Sequence, residues 1–191
     1  MPLRFVPRGV RKSAPRRYSN AVDFGFPPIE SPRARVLILG SLPGQVSLQQ
    51  REYYAQPRNA FWRIMGTLFG AGPELSYARR IELLTRNGIA VWDVCACAQR
   101  PGSLDSAIVT ATAQPNEFAE FFREHGAIRL LAFNGAKASQ LYARKVSPFL
   151  SAELRGIRTI TLPSTSPAHA ALSYERKLAE WSNAFAGLPV R

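Results

Sequence analysis

The residue types able to do chemistry fall in three short segments, each following or flanking an apolar run. The first, Gly40-Ser41-Leu42-Pro43-Gly44, comes directly after a run that ends at Leu39. A glycine loop behind a first strand is where backbone N–H groups can meet a ligand, and the phosphate-binding P-loop is its best-known form. This loop lacks the Gly-Lys-Ser/Thr ending and the next helix is too distant, so a P-loop is not expected. The second segment runs Tyr53-Tyr54-Ala55-Gln56-Pro57-Arg58-Asn59-Ala60-Phe61-Trp62 and sets the carboxamide of Asn59 among aromatic rings. A carboxamide does not titrate near neutral pH, so Asn59 cannot act as a general base. Asn is also a favoured N-cap, and a helix beginning at Ala60 gives it that alternative use. The third, Leu162-Pro163-Ser164-Thr165-Ser166-Pro167-Ala168-His169, is short, polar and stiffened by two prolines, a loop built to keep its shape.

Titratable groups are few near these segments. Asp93 and Asp105 lie at or beyond the end of an apolar run; Asp93 reads as an acceptor for loop backbone donors and Asp105 as a cap for the residues after it, with a direct catalytic role as a base the alternative for each. The only cysteines, Cys95 and Cys97, have no second pair to complete a zinc or iron–sulfur site. A metal cofactor and a disulfide framework are therefore not expected, and a reducing cytoplasm is.

Positioning these segments falls to alternating apolar runs and helical stretches, the order of an α/β fold with a mainly parallel sheet. Residues 35–39, 89–94, 128–133 and 158–162 read as buried strands, four in all. Helices are predicted over 61–69, over 77–86 with Gly88 just past the end, over 136–145, and over 174–185 with Ser173 as N-cap. A further helix is expected to carry Pro115 in its first turn and to end at Gly126, with Phe118, Phe121 and Phe122 as a core-facing stripe. In such sheets ligands bind outside the carboxyl ends of the strands, where the three segments lie.

The chain has 191 residues, 46% of them hydrophobic, enough to fill the core of one domain. With 25 Lys and Arg against 13 Asp and Glu, its formal charge is +12, which favours a polyanionic partner. No lipidation signal, basic amphipathic helix or apolar run of roughly 18 residues points to a membrane. Residues 1–17 hold six basic residues and no acid, and Pro2, Pro7 and Pro15 spoil the amphipathic helix of an organelle presequence. Residues 1–23 are expected to form a flexible basic arm and residues 24–191 a single domain.

Taken in order, the Gly-x-x-Pro-Gly loop, the Tyr-Ala-x-Pro-x-Asn-x-Phe-Trp run and the Pro-Ser-x-Ser-Pro loop resemble the uracil-DNA glycosylase superfamily, and within it the hypoxanthine-DNA (deoxyinosine) glycosylase family. The resemblance extends from about Phe24 to Trp181 and takes in Trp92-Asp93-Val94, Gly102-Ser103-Leu104-Asp105-Ser106 and Phe133-Asn134-Gly135. Mismatch-specific uracil and thymine glycosylases look similar but carry a catalytic Asn in the glycine loop, at the place filled here by Leu42. The deoxyinosine family also lacks it, and its catalytic Asn matches Asn59.

The resemblance implies a three-layer α/β/α sandwich around the four-stranded sheet, and an enzyme that flips a deaminated base out of DNA and hydrolyses its N-glycosidic bond. Flipping costs roughly a few kcal/mol, least where hypoxanthine lies opposite thymine and pairs weakly. It places Tyr54 where an aromatic ring stacks on the base, a contact of roughly 1–3 kcal/mol, with core packing as the alternative. Backbone N–H groups in the base-binding loop Gly40, Ser41, Leu42, Pro43, Gly44 and Gln45 would donate to the purine ring or O6, and would meet the amino group of adenine as a clash of donors. The Asn59 oxygen would orient the attacking water, and Asn134 would touch the base or tie down its loop. Ser164, Thr165, Ser166, Pro167 and His169 would contact DNA, with Leu162 in the place where some relatives carry a catalytic His. No metal or nucleotide cofactor is called for, and no lysine is evident as a Schiff-base nucleophile, so a monofunctional monomer is expected. Its substrate would be double-stranded DNA, single strands being the alternative. The rival activities are uracil or thymine mismatch excision and inert nucleic-acid binding.

Overall fold

The computed structural model describes residues 21–186. In chain order its strands and helices are β1 (Val22–Phe24), β2 (Val36–Gly40), α1 (Gln45–Gln50), α2 (Phe61–Phe69), α3 (Tyr77–Arg86), β3 (Ile89–Asp93), β4 (Cys95–Gln99), β5 (Gln114–Pro115), α4 (Phe118–Glu124), β6 (Leu130–Asn134), α5 (Ala136–Lys145), α6 (Ala152–Arg155), β7 (Arg158–Leu162) and α7 (Tyr174–Phe185). Up to residue 20, the expected basic arm lies outside the described residues. The expected boundary between arm and domain falls inside β1, whose Val22 and Asp23 pair with Gln99 and Ala98.

The central sheet is four-stranded and all parallel, in the order β3-β2-β6-β7. Three of its strands, β2, β3 and β6, are buried along their whole length, as parallel strands covered on both faces must be, whereas β7, at the sheet's edge and expected to be buried, is exposed except at half-buried Ile160 and buried Leu162. On one face α2, α3 and α7 pack together through Phe61 against Trp181 and Trp62 against Tyr77. On the other, Phe118 and Phe121 of α4 meet Trp92 of β3, and Tyr142 of α5 meets Phe133 of β6. The phenylalanine stripe is core, all three rings being buried. This is the expected three-layer sandwich.

A second, antiparallel sheet in the order β1-β4-β5 was not expected. The chain passes from β3 into β4 with only Val94 between, and Val94 and Cys95 donate to the carbonyls of Gly40 and Ser41. Pro115 belongs to β5, opposite Cys95, and not to the first turn of a helix. An edge strand tolerates a residue with no N–H to donate, and α4 begins three residues later. Cys95 and Cys97 are both buried and free.

From β2 the chain moves to β3 on one side, then crosses to β6 on the other. The sheet therefore has its topological switch point between β2 and β6, the place where doubly wound sheets open a crevice. The carboxyl ends facing it are Gly40 and Asn134.

Candidate active site

A cleft of about 580 Å³ opens at that switch point. The Gly40–Gln45 loop, Tyr54, Asn59, Asn134 and residues 164–169 all line it, so the three sequence segments converge on one place. It also takes in Asp93, Arg100, Asp105 and Lys137, of which Arg100 and Lys137 had no place in the sequence reading. Lys137 stands in the first turn of α5, its Nζ 3.4 Å from Thr110 Oγ1.

The glycine loop is held from behind. Arg100, whose side chain is 0% exposed, donates to the Leu42 carbonyl at 3.1 Å, to the Pro43 carbonyl, and to Asp23 Oδ2 at 2.8 Å. Asp23 in turn accepts from Gln45 Nε2 at 2.9 Å. Ser41 donates to Asp105 at 2.6 Å, so Asp105 fixes the loop across the cleft; its side chain does not cap its own turn. Leu42 is buried in the core.

Tyr54 has φ 56°, in the left-handed region that non-glycine residues rarely adopt, so its surroundings must hold it there. Phe61 takes one face of its ring at 3.9 Å between centroids and 21° between planes. Tyr53, Phe61 and Trp62 are core. The helix begins at Phe61, with Ala60 as its N-cap, so Asn59 stands one residue before the N-cap position expected for it; from there its Oδ1 still caps the first helical donor, accepting the Phe61 N–H at 3.0 Å. A carboxamide oxygen has two lone pairs, and one remains for the cleft.

Asn134 and Thr165 form a two-point bond, Nδ2 to Oγ1 and Thr165 N–H to Oδ1, both 2.8 Å. Asn134 thus ties down the loop from its place in the cleft wall. Thr165, expected at the DNA surface, is 1% exposed, and its carbonyl also accepts the Ala60 N–H. It joins two cleft segments from within and is not an exposed contact. Gly135, at φ 99°, passes so close that a Cβ there would lie 2.9 Å from Ser164 Cβ. Ser164 Oγ accepts the Ser166 N–H, and Ser166 Oγ the Ala168 N–H, which leaves both hydroxyl protons available to a ligand. From behind, Lys177 and Trp181 of α7 donate to the Ser166 and Pro163 carbonyls. Pro167 and His169 are half-buried at the cleft.

Asp93 does not accept from loop donors as expected: it is 4% exposed and its Oδ2 has no partner among the described residues. Burial first, then the Asp105 charge, push its carboxyl up to about 8 against the opposing pull of Arg100. Unfolded, the group ionises near 3.8, so between those values the folded chain binds the extra proton and stability falls as pH rises. Asp93→Asn removes that slope. Its unfolding free energy is expected to gain on the parent's as pH goes from 5 to 8.5, by a margin on the order of a few kcal/mol. A margin that stays constant over that range would mean that Asp93 ionises normally in the fold.

Comparison with known proteins agrees with this geometry. The family model for the uracil DNA glycosylase superfamily matches residues 27–186. A protein of Methanosarcina barkeri (strain Fusaro / DSM 804) named hypoxanthine DNA glycosylase is 36% identical over 162 residues, 84% of this chain and 96% of its own length. One of the same name from Methanosarcina acetivorans is 35% identical over the same shares. The solution structure of a Methanosarcina acetivorans protein, provisionally described as a uracil DNA glycosylase, superposes with a TM-score of 0.71 at 34% identity, covering 86% of this chain and 97% of that one. With its parallel sheet, its switch-point cleft and its three loop segments in register, the chain belongs to the uracil DNA glycosylase superfamily.

Proposed function

We propose that the protein is a monofunctional DNA glycosylase that hydrolyses deoxyinosine. The observation that carries this reading is the division of labour in the cleft: the glycine loop holds an apolar Leu42, while the second segment brings two carboxamides to the lining, Gln56, whose oxygen is taken up by the Arg58 N–H of its own turn, and Asn59, fixed at the start of α2. The relatives named hypoxanthine DNA glycosylase, matched over nearly their whole length, support the same substrate. In this reading the flipped base stacks on Tyr54, while the N–H groups of the glycine loop face its acceptor edge. The second lone pair of Asn59 Oδ1 holds a water beneath C1′. The water oxygen bonds to C1′ as the N9–C1′ bond breaks, the bonding pair moves onto the purine, and the water's protons end on the new C1′ hydroxyl and the released base. Ser164 and Ser166 donate to phosphates on either side.

The test is base release from labelled duplexes carrying one inosine or one uracil, each followed by hot alkali. Release from inosine at least about tenfold faster than from uracil is expected, since a site built for one set of donors and acceptors rejects another strongly. Faster release from uracil would reassign the substrate, and binding with no release from either would make the protein an inert binder. Strand scission without alkali would show that Lys137 or another amine attacks C1′.

A further inference from the structure

Two buried polar atoms in the cleft wall have no hydrogen-bond partner among the described residues, Asp93 Oδ2 and the Tyr54 hydroxyl. Both side chains converge on Gly40. A Cβ placed there would stand 2.2 Å from Asp93 Oδ1 and 3.1 Å from the Tyr54 hydroxyl, so glycine is what admits the carboxyl and the phenol beside the loop. Polar groups buried without partners are rare, and at a ligand cleft they mark donors and acceptors kept for something else.

The groups around Asp93 do not favour its ionised form. Arg100, beyond the end of β4, is the cation that acts on it, and its guanidinium is committed to Asp23 and to the Leu42 and Pro43 carbonyls. Asp105 presents a like charge from the turn after β4 and bonds Ser41 instead. Tyr53 and Tyr54 from the segment before α2, and Cys95 from β4, bring acids and no cation. An ionised Asp93 would be a buried charge facing another, with its one counter-ion already paired.

Resting on the reading of the cleft as a base-releasing site, we propose that Asp93 serves catalysis as a neutral carboxylic acid, whose retained proton keeps negative charge out of the cleft wall behind the departing base and offers that base a hydrogen-bond donor. The electrons of the broken glycosidic bond flow into the ring, so a carboxylate at this place would oppose the transition state, whereas an O–H favours it. The proton stays on Asp93 throughout, and the base is protonated from water. The carboxyl holds that proton up to about pH 8.

Single-turnover base release from an inosine duplex, measured from pH 6 to 10, tests the idea. The parent enzyme is expected to slow as pH rises past about 8, roughly tenfold per pH unit beyond the midpoint. Asp93→Asn, neutral and of the same shape, is expected to keep at least about a tenth of the parent rate at pH 7 and to lose that part of the decline. Asp93→Leu, neutral without a donor, should fall at least about 100-fold. The proposal is overturned if Asp93→Asn keeps the same alkaline decline, because the substrate's own N1–H or another group then titrates. A folded Asp93→Asn that is inactive at every pH also overturns it, because the carboxylate is then the working form. Independently of turnover, the carboxyl carbon resonance of Asp93 in the free parent protein should titrate near 8; a midpoint near 4 refutes the idea. If the parent protein releases uracil and not hypoxanthine, the substrate reading fails while the same pH comparison on uracil still decides the role of Asp93.

Discussion

Asn59→Ala is expected to slow base release from an inosine duplex at least about 100-fold while leaving DNA affinity nearly unchanged, because positioning the attacking water acts on the chemical step. The substitution also removes a helix cap, the 3.0 Å bond from the Phe61 N–H, at a cost of about 1 kcal/mol. Asn59→Ser separates the two effects. Serine is as good a cap, but its oxygen sits on a shorter stem and does not reach beyond the helix end into the cleft. The expected pattern is a melting temperature recovered by serine and a turnover that is not. Recovery of both would reduce Asn59 to its cap, and equal loss of DNA binding and turnover would place it in recognition.

Asn59 was legible because its segment is local: a Pro-x-Asn-x-Phe-Trp run can be recognised wherever it occurs, and both readings of the residue, cap and cleft, attach to neighbours two or three positions away. Three of the four parallel strands, β2, β3 and β6, were legible for a similar reason, since burial on both faces writes a continuous apolar run. Strand β4 carries no such mark. Cys95-Ala96-Cys97-Ala98-Gln99 has no β-branched or aromatic residue, and its partners β1 and β5 are 3 and 2 residues long. Its pairing is decided by register across distant parts of the chain. The same holds for Thr165, whose place in a polar loop suggested exposure until Asn134 was seen bonding both its N–H and its hydroxyl. Asp93 offered only proximity to a strand end, and the missing donor around it is a property of the packed cleft.

Arg100 is the most consequential residue that the sequence concealed, one of 25 basic residues and 77 positions from the Asp23 it pairs with. Arg100→Met is expected to destabilise the fold by roughly 3–5 kcal/mol, because it strands a largely buried carboxylate and two loop carbonyls at once. Activity should fall further than stability accounts for. In a trans peptide the N–H points opposite to the C=O, so turning the Pro43 carbonyl onto the guanidinium turns the Gly44 N–H to the other side of the loop. Pro43 has no N–H of its own, and a loop released from Arg100 has no reason to keep that orientation. Arg100→Lys should recover little, since one ammonium on a flexible stem does not span two carbonyls and a carboxylate. Adding Asp23→Asn to Arg100→Met should regain part of the lost stability by removing the stranded charge, yet leave base release impaired, because the carbonyls remain unclamped. Melting curves read beside single-turnover rates decide the matter: a double variant restored in both would show that the ion pair, and not the clamp on the loop, is what Arg100 provides.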